Sequence, residues 1–144
     1  MPIGTIPQQN TLESQEKFNM KVLLADDEGF VREATAMFLK HFGCTVEEVA
    51  DGKALLSRLD SAKPGEFGLI MTDNNMPGMT GTEAIEKFRK DARFEKIPVI
   101  LYSGLLLPEV EKKVKESGGL SIEKPFEMSA LKAKIKEAVA KSIK

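Results

Sequence analysis

What the chain lacks narrows its function before any motif is read. Cys44 is the only cysteine, which rules out an internal disulfide. No apolar run approaches the roughly 20 residues that a membrane helix requires. The first residues have neither the basic start nor the apolar stretch of a signal peptide. Neither sign of charge is in excess: 21 Lys and Arg against 22 Asp and Glu leave a net charge of -1. Nucleic acid and anionic lipid therefore find no global attraction. Internal repeats and low-complexity tracts are missing as well. These absences point to a soluble cytoplasmic protein that binds neither nucleic acid nor membrane. At 144 residues, with 42% hydrophobic and 30% charged residues, the chain suits a single packed core.

Residues 1–20 differ from the remainder. They are rich in Gln, Thr, Pro and Asn, lack sustained apolar periodicity, and are expected to form a flexible N-terminal extension to a folded domain over residues 21–144. From Lys21 onward two periods alternate. Short apolar runs occur at Val22 to Ala25, Val46 to Ala50, Leu69 to Met71, Val99 to Leu101 and, weakly, Leu120 to Ile122. Three of them are nearly continuous, the signature of strands buried on both faces of a parallel sheet. Helical stripes lie between them. Phe30, Ala34, Met37, Phe38 and Phe42 form the first and Leu55, Leu56 and Leu59 the second. Ile85 with Phe88, Val110 with Val114, and Leu131, Ile135, Ala138 and Val139 supply three more.

Helix ends are marked too. Thr80 and Glu83 have capping-box spacing, Pro108 suits a first helical position, and Gly118-Gly119 suits a stop. Alternating strands and helices imply an α/β domain with helices on both faces of a parallel sheet.

The chemistry falls where each apolar run ends. Asp26 and Asp27 follow the first run, Asp73 the third, Ser103 the fourth and Lys124 the fifth. Ligands of open α/β sheets bind outside the carboxyl ends of the strands, where strand order reverses. An order of 2-1-3-4-5, a common one for such sheets, brings Asp26, Asp27 and Asp73 into one crevice. Three close carboxylates need either a raised pKa or a cation. Oxygen ligands with open positions suit Mg²⁺, commonly held by one or two carboxylates and a phosphate. Lys124 and Ser103 add donors for phosphoryl oxygens, so the set resembles a phosphoryl-transfer site with a carboxylate nucleophile.

The stretch Asp73-Asn74-Asn75-Met76-Pro77-Gly78-Met79-Thr80-Gly81 is similar to the Asp-x-x-Met-Pro-x-Met-x-Gly of response regulator receiver domains, of the chemotaxis type, in bacterial two-component signalling. Asp26-Asp27-Glu28, Tyr102-Ser103-Gly104 and Lys124-Pro125-Phe126 match the family's other motifs in order and spacing. The resemblance runs from Lys21 to about Ser142. It implies a flavodoxin-like (βα)5 doubly wound sandwich with strand order 2-1-3-4-5. Asp73 would accept a phosphoryl group from a histidine kinase or histidine phosphotransfer protein. Asp27 would hold Mg²⁺ directly, Asp26 through water, and Asn75 through its backbone carbonyl, with Asp73 completing the set. Lys124, before a cis peptide to Pro125, and Ser103 would hold the phosphoryl group, and Ser103 would draw in the loop at Gly104. The face around the fourth helix and fifth strand would switch for a downstream protein, in a monomer or weak homodimer. Ser121 departs from the pattern, standing where many receivers carry an aromatic ring.

Plainer readings apply elsewhere. His41 is expected at the solvated end of the first helix, Cys44 as a small apolar residue, and the lysines of the last helix as a solvated face. Leu105 to Leu107 either pack under the fourth helix or form an exposed apolar surface. Two other functions fit parts of the pattern: an Mg²⁺-dependent phosphatase-like hydrolase, and a phosphorylation-independent scaffold. The hydrolase would need a second acid where Asn75 stands, and the intact site argues against the scaffold. A flavin module would need a phosphate loop where Asp26-Asp27-Glu28 stands.

Overall fold

The computed structural model describes residues 17–142. Five parallel strands form one sheet: β1 (Lys21–Ala25), β2 (Thr45–Val49), β3 (Leu69–Asp73), β4 (Val99–Ser103) and β5 (Leu120–Glu123). Their order is β2-β1-β3-β4-β5, which places β1 beside β3 at the reversal of strand order. Between the strands and after the last run α1 (Gly29–His41), α2 (Gly52–Asp60), α3 (Gly81–Phe88), α4 (Pro108–Glu116) and α5 (Met128–Ser142).

The near-continuous apolar runs follow from this burial. Successive side chains of a strand point to opposite faces. Leu23, Ala25, Ile70 and Leu101 thus meet α2 and α3 through Leu55, Leu59, Ile85 and Phe88. Val22, Leu24, Met71 and Ile100 meet α1 and α5 through Ala36, Leu39, Leu131 and Ile135. Both faces need apolar residues, so alternation disappears in β1, β3 and β4. Each fully buried Leu or Ile contributes about 1.5–3 kcal/mol. The edge strand β2 keeps polar residues, and its Glu47 pairs with Lys21 and Arg58 while Glu48 pairs with Arg32.

The helix signals act as expected at α3, where Thr80 and Glu83 form a complete capping box. Pro108 opens α4, and Gly118 follows it with φ +85°, a left-handed conformation that favours glycine.

Two expectations need correction. The first concerns the phase of α1. Phe30 and Met37 are 88% and 68% exposed, while Thr35, Ala36 and Leu39 face the sheet. Thr35 can be buried because its hydroxyl donates to the Val31 carbonyl at 2.9 Å. Phe42 is buried and Phe38 packs on the same face, so the stripe holds towards the end of the helix, while Thr35, Ala36 and Leu39 take the inner positions before it. The second concerns the three leucines after Gly104. Leu106 packs against the α2–α3 face of the core, but Leu105 and Leu107 are exposed, so the segment divides between the two readings.

Of the expected extension, residues 1–16 lie outside the described residues. Its last part lies against the domain: Phe18 donates its N–H to the Phe42 carbonyl at 2.9 Å, and the two rings meet edge to face. His41 is exposed at the end of α1, and Cys44 is buried just before β2, where desolvation pushes its thiol up to about 11.

Candidate functional site

Four strand ends converge on one crevice. Asp26 follows β1, Asp73 and Ser103 close β3 and β4, and Lys124 follows β5. Parallel register aligns them: Asp73 stands opposite Tyr102, and Lys124 donates its N–H to the Ser103 carbonyl at 2.8 Å. The Lys124–Pro125 peptide is cis.

Asp73 is only 2% exposed, and its Oδ1 finds no hydrogen-bond partner among the described residues. The ammonium of Lys124 stands 3.4 Å from that oxygen, at ion-pair distance, and 3.9 Å from Glu28 Oε1. Burial pushes the Asp73 carboxyl up from 3.8 to about 6, the attraction of Lys124 opposes this, and the nearby Asp26 carboxylate adds to the rise. A buried carboxylate oxygen without a donor is costly unless a proton, a cation or a covalent partner satisfies it.

The chain around Asp73 is held firmly. Asn74 Oδ1 accepts from the Thr82 amide at 3.0 Å and the Thr82 hydroxyl at 2.7 Å, and the Asn74 carbonyl accepts from Gly81 N–H at 3.0 Å. Gly81 is required by close approach, because a Cβ there would land on the Asp73 carbonyl oxygen. That contact explains the glycine at the end of the motif.

The acids that share a potential cation position are Asp26, Glu28 and Asp73, each with a carboxylate oxygen within 4.8 Å of the others'. Asp27 is exposed and stands outside this trio. Glu28 belongs to the first motif, but nothing in the spacing of the sequence marks it as part of this trio. Asp26 is wholly buried and well partnered: Oδ1 accepts from Glu28 N–H at 2.9 Å and Oδ2 from the Tyr102 hydroxyl at 2.7 Å. Three convergent carboxylates with one unsatisfied oxygen suit a hard divalent cation with open positions. This fits Mg²⁺.

Ser103 is turned into its own loop. Its hydroxyl donates to the Leu105 carbonyl at 3.0 Å and lies 3.3 Å from Leu105 N–H, and the Asn75 amide approaches it at 3.4 Å. Leu106 N–H is held by Glu123 Oε2 at 3.1 Å. A side chain at Gly104 would meet nothing within 4 Å, so the mouth of the crevice is open there. Ser121 pairs with Leu101 on the α2–α3 face and is half-buried.

The family model for the response regulator receiver domain matches residues 22–136. The chain belongs to this family. Among curated relatives, this receiver is 32% identical to the chemotaxis protein CheY-3 of Vibrio cholerae over 81% of this chain and 89% of that one. It is also 32% identical to the chemotaxis protein CheY of Pseudomonas aeruginosa, over 82% of this chain and 94% of the relative. Among solved structures, the chemotaxis response regulator CheY4 of Vibrio cholerae matches with TM-score 0.72 at 30% identity, covering 83% of this receiver and 98% of that chain. A CheY-like receiver domain from Methanospirillum hungatei matches with TM-score 0.76 at 26% identity, covering 86% and 96%. The family and the observed sheet order agree with the doubly wound fold expected from the motifs. No helix among the described residues is long and apolar enough to cross a membrane.

Proposed function

We propose that Asp73 is the phosphoacceptor of this receiver, served by Mg²⁺ and by a histidine kinase or histidine phosphotransfer protein as phosphoryl donor. The observation that carries this reading is the buried Oδ1 of Asp73, which accepts no hydrogen bond and faces Lys124 at ion-pair distance within an acidic crevice. Attack by an Asp73 oxygen on phosphorus forms the acyl phosphate as the donor's phosphorus–nitrogen bond breaks, and the imidazole keeps that electron pair. Asp26, with Asp27 or Glu28, Asp73 and the Asn75 carbonyl, would hold Mg²⁺. When bound, the metal spreads the charge of the phosphoryl oxygens.

The chain's own groups do the rest. Lys124, already 3.4 Å from Asp73, moves onto a phosphoryl oxygen. Ser103 exchanges the Leu105 carbonyl for another phosphoryl oxygen and draws the Gly104 loop inward. Because Ser121 offers no ring to turn, that loop, Leu106 and α4 carry the change to a downstream protein. The receiver acts as a cytoplasmic phosphoacceptor, not a turnover enzyme, on a domain covering residues 21–144 against which Phe18 and Met20 also pack. A phosphatase-like hydrolase is disfavoured by Asn75, which stands where a second acid would be needed. Incubation with acetyl phosphate and Mg²⁺ should add one phosphoryl mass to wild type and none to Asp73→Ala. Equal incorporation in that variant sinks the assignment.

A further inference from the structure

One side chain underlies both halves of this site. Tyr102, the penultimate residue of β4, is wholly buried among the residues that face α1 and α5. Its hydroxyl donates to Asp26 Oδ2 at 2.7 Å. Its ring lies under the Lys124 ammonium, 5.0 Å from the ring centroid, and meets the edge of Phe126 at 6.1 Å. The acid after β1 and the lysine after β5 are therefore both seated on a residue of β4.

The consequences are chemical. Asp26 has no exposure to water, so each of its oxygens depends on a protein donor. Glu28 N–H serves Oδ1 and Tyr102 serves Oδ2, which fixes the rotation of the carboxylate about its Cβ–Cγ bond. That rotation places an Asp26 oxygen within 4.8 Å of carboxylate oxygens of Glu28 and Asp73. An ammonium over a desolvated ring is attracted to its face, which holds Lys124 at Asp73's side of the crevice.

We propose that Tyr102 is a positioning residue for the divalent-cation site: its hydroxyl sets the orientation of Asp26, and its ring seats Lys124. The inference rests on the Mg²⁺-assisted reading above and adds a residue to it. Partners that orient metal ligands typically matter by about 10–100-fold in metal affinity, so Tyr102→Phe should weaken Mg²⁺ binding at least about tenfold. The ring and its contacts with Lys124 and Phe126 remain in that variant.

The test is calorimetric titration of Mg²⁺ into the full chain as wild type, Tyr102→Phe, Asp26→Asn and the double variant. Tyr102→Phe should weaken binding in the wild-type background and have no further effect once Asp26 is Asn. A purely structural role would weaken both backgrounds alike. The chain has one tyrosine and no tryptophan, so its intrinsic emission reports the surroundings of this side chain. In wild type that emission should change on Mg²⁺ addition with the calorimetric midpoint. A flat emission trace through saturation overturns the proposal even if Tyr102→Phe fails to fold. Equal affinity in wild type and Tyr102→Phe overturns it alone, leaving phosphoacceptance intact. Wild type that binds no Mg²⁺ overturns this proposal and the functional reading together.

Discussion

The buried carboxyl of Asp73 should make this receiver less stable as pH rises, in the absence of a divalent cation. Its folded pKa is raised from 3.8 to about 6, chiefly by burial. Below about pH 4 the folded and unfolded chains both hold the proton, and the group contributes no penalty. As pH rises through about 6, the unfolded chain has already released its proton at no cost, while the folded chain must bury a charge. Stability is therefore full at low pH and lost across this window. The gap from 3.8 to about 6 corresponds to about 3 kcal/mol at most. Exposed Glu28, whose carboxylate shares the crevice with Asp73, marks an opening to water there, so screening reduces the expected effect to about 1–2 kcal/mol.

Asp73→Asn removes the titration while keeping the shape. Urea unfolding with EDTA at several values between about pH 4 and pH 7.5 should show the variant gaining on wild type by that amount as pH rises. Saturating Mg²⁺ should erase most of the gain, because the cation binds only the folded site. The slope with pH is the test, since a constant offset reports only the altered contact with Lys124. Parallel curves for the two proteins would refute the argument that burial strains this carboxylate.

Other expectations follow from packing and from the lysine. Gly81→Ala should destabilise the fold by about 1–3 kcal/mol by overpacking against the Asp73 carbonyl, measured by denaturant midpoint. Ile135→Ala, at a wholly buried position of α5, should cost about 2–5 kcal/mol in the same assay. Leu105→Ser should stay within about 0.5 kcal/mol of wild type because Leu105 is exposed, whereas Leu106→Ser should be clearly destabilising. Lys124→Ala should remove a charge-assisted bond worth about 1.5–3 kcal/mol from the phosphorylated state. NMR shifts around Gly104 on phosphorylation should shrink accordingly, and unchanged shifts would exclude Lys124 from the response.

The sheet and most of the site were legible in the sequence because they depend on short-range signals. Buried parallel strands must be apolar on both faces, so β1, β3 and β4 announced themselves, and Asp26, Asp73, Ser103 and Lys124 stand where those runs and β5 end. Helix phase was less secure. The inner face of α1 includes Thr35, whose hydroxyl is satisfied within its own helix, and the apolar Phe30 and Met37 are left outside. Glu28, two residues past the first acid, enters the acidic trio through the bend of its loop, which no periodicity encodes. Tyr102 meets Asp26 across 76 positions of chain, a contact that exists only once β1, β3 and β4 lie side by side.

The two loops that flank the acceptor differ in stiffness. The turn from β3 into α3 is bolted down by Asn74, whose carbonyl and side-chain oxygen both grip the first residues of the helix. The turn from β4 into α4 hangs on the Ser103 hydroxyl and on a single bond from Leu106 N–H to exposed Glu123. A phosphoryl group on Asp73, as proposed above, would push against both, with the α3 side as an anvil and motion channelled into the Gly104–Leu107 segment. A receiver without a ring at Ser121 thus still has a preferred direction in which to yield, set by unequal anchoring of neighbouring turns rather than by any dedicated moving part.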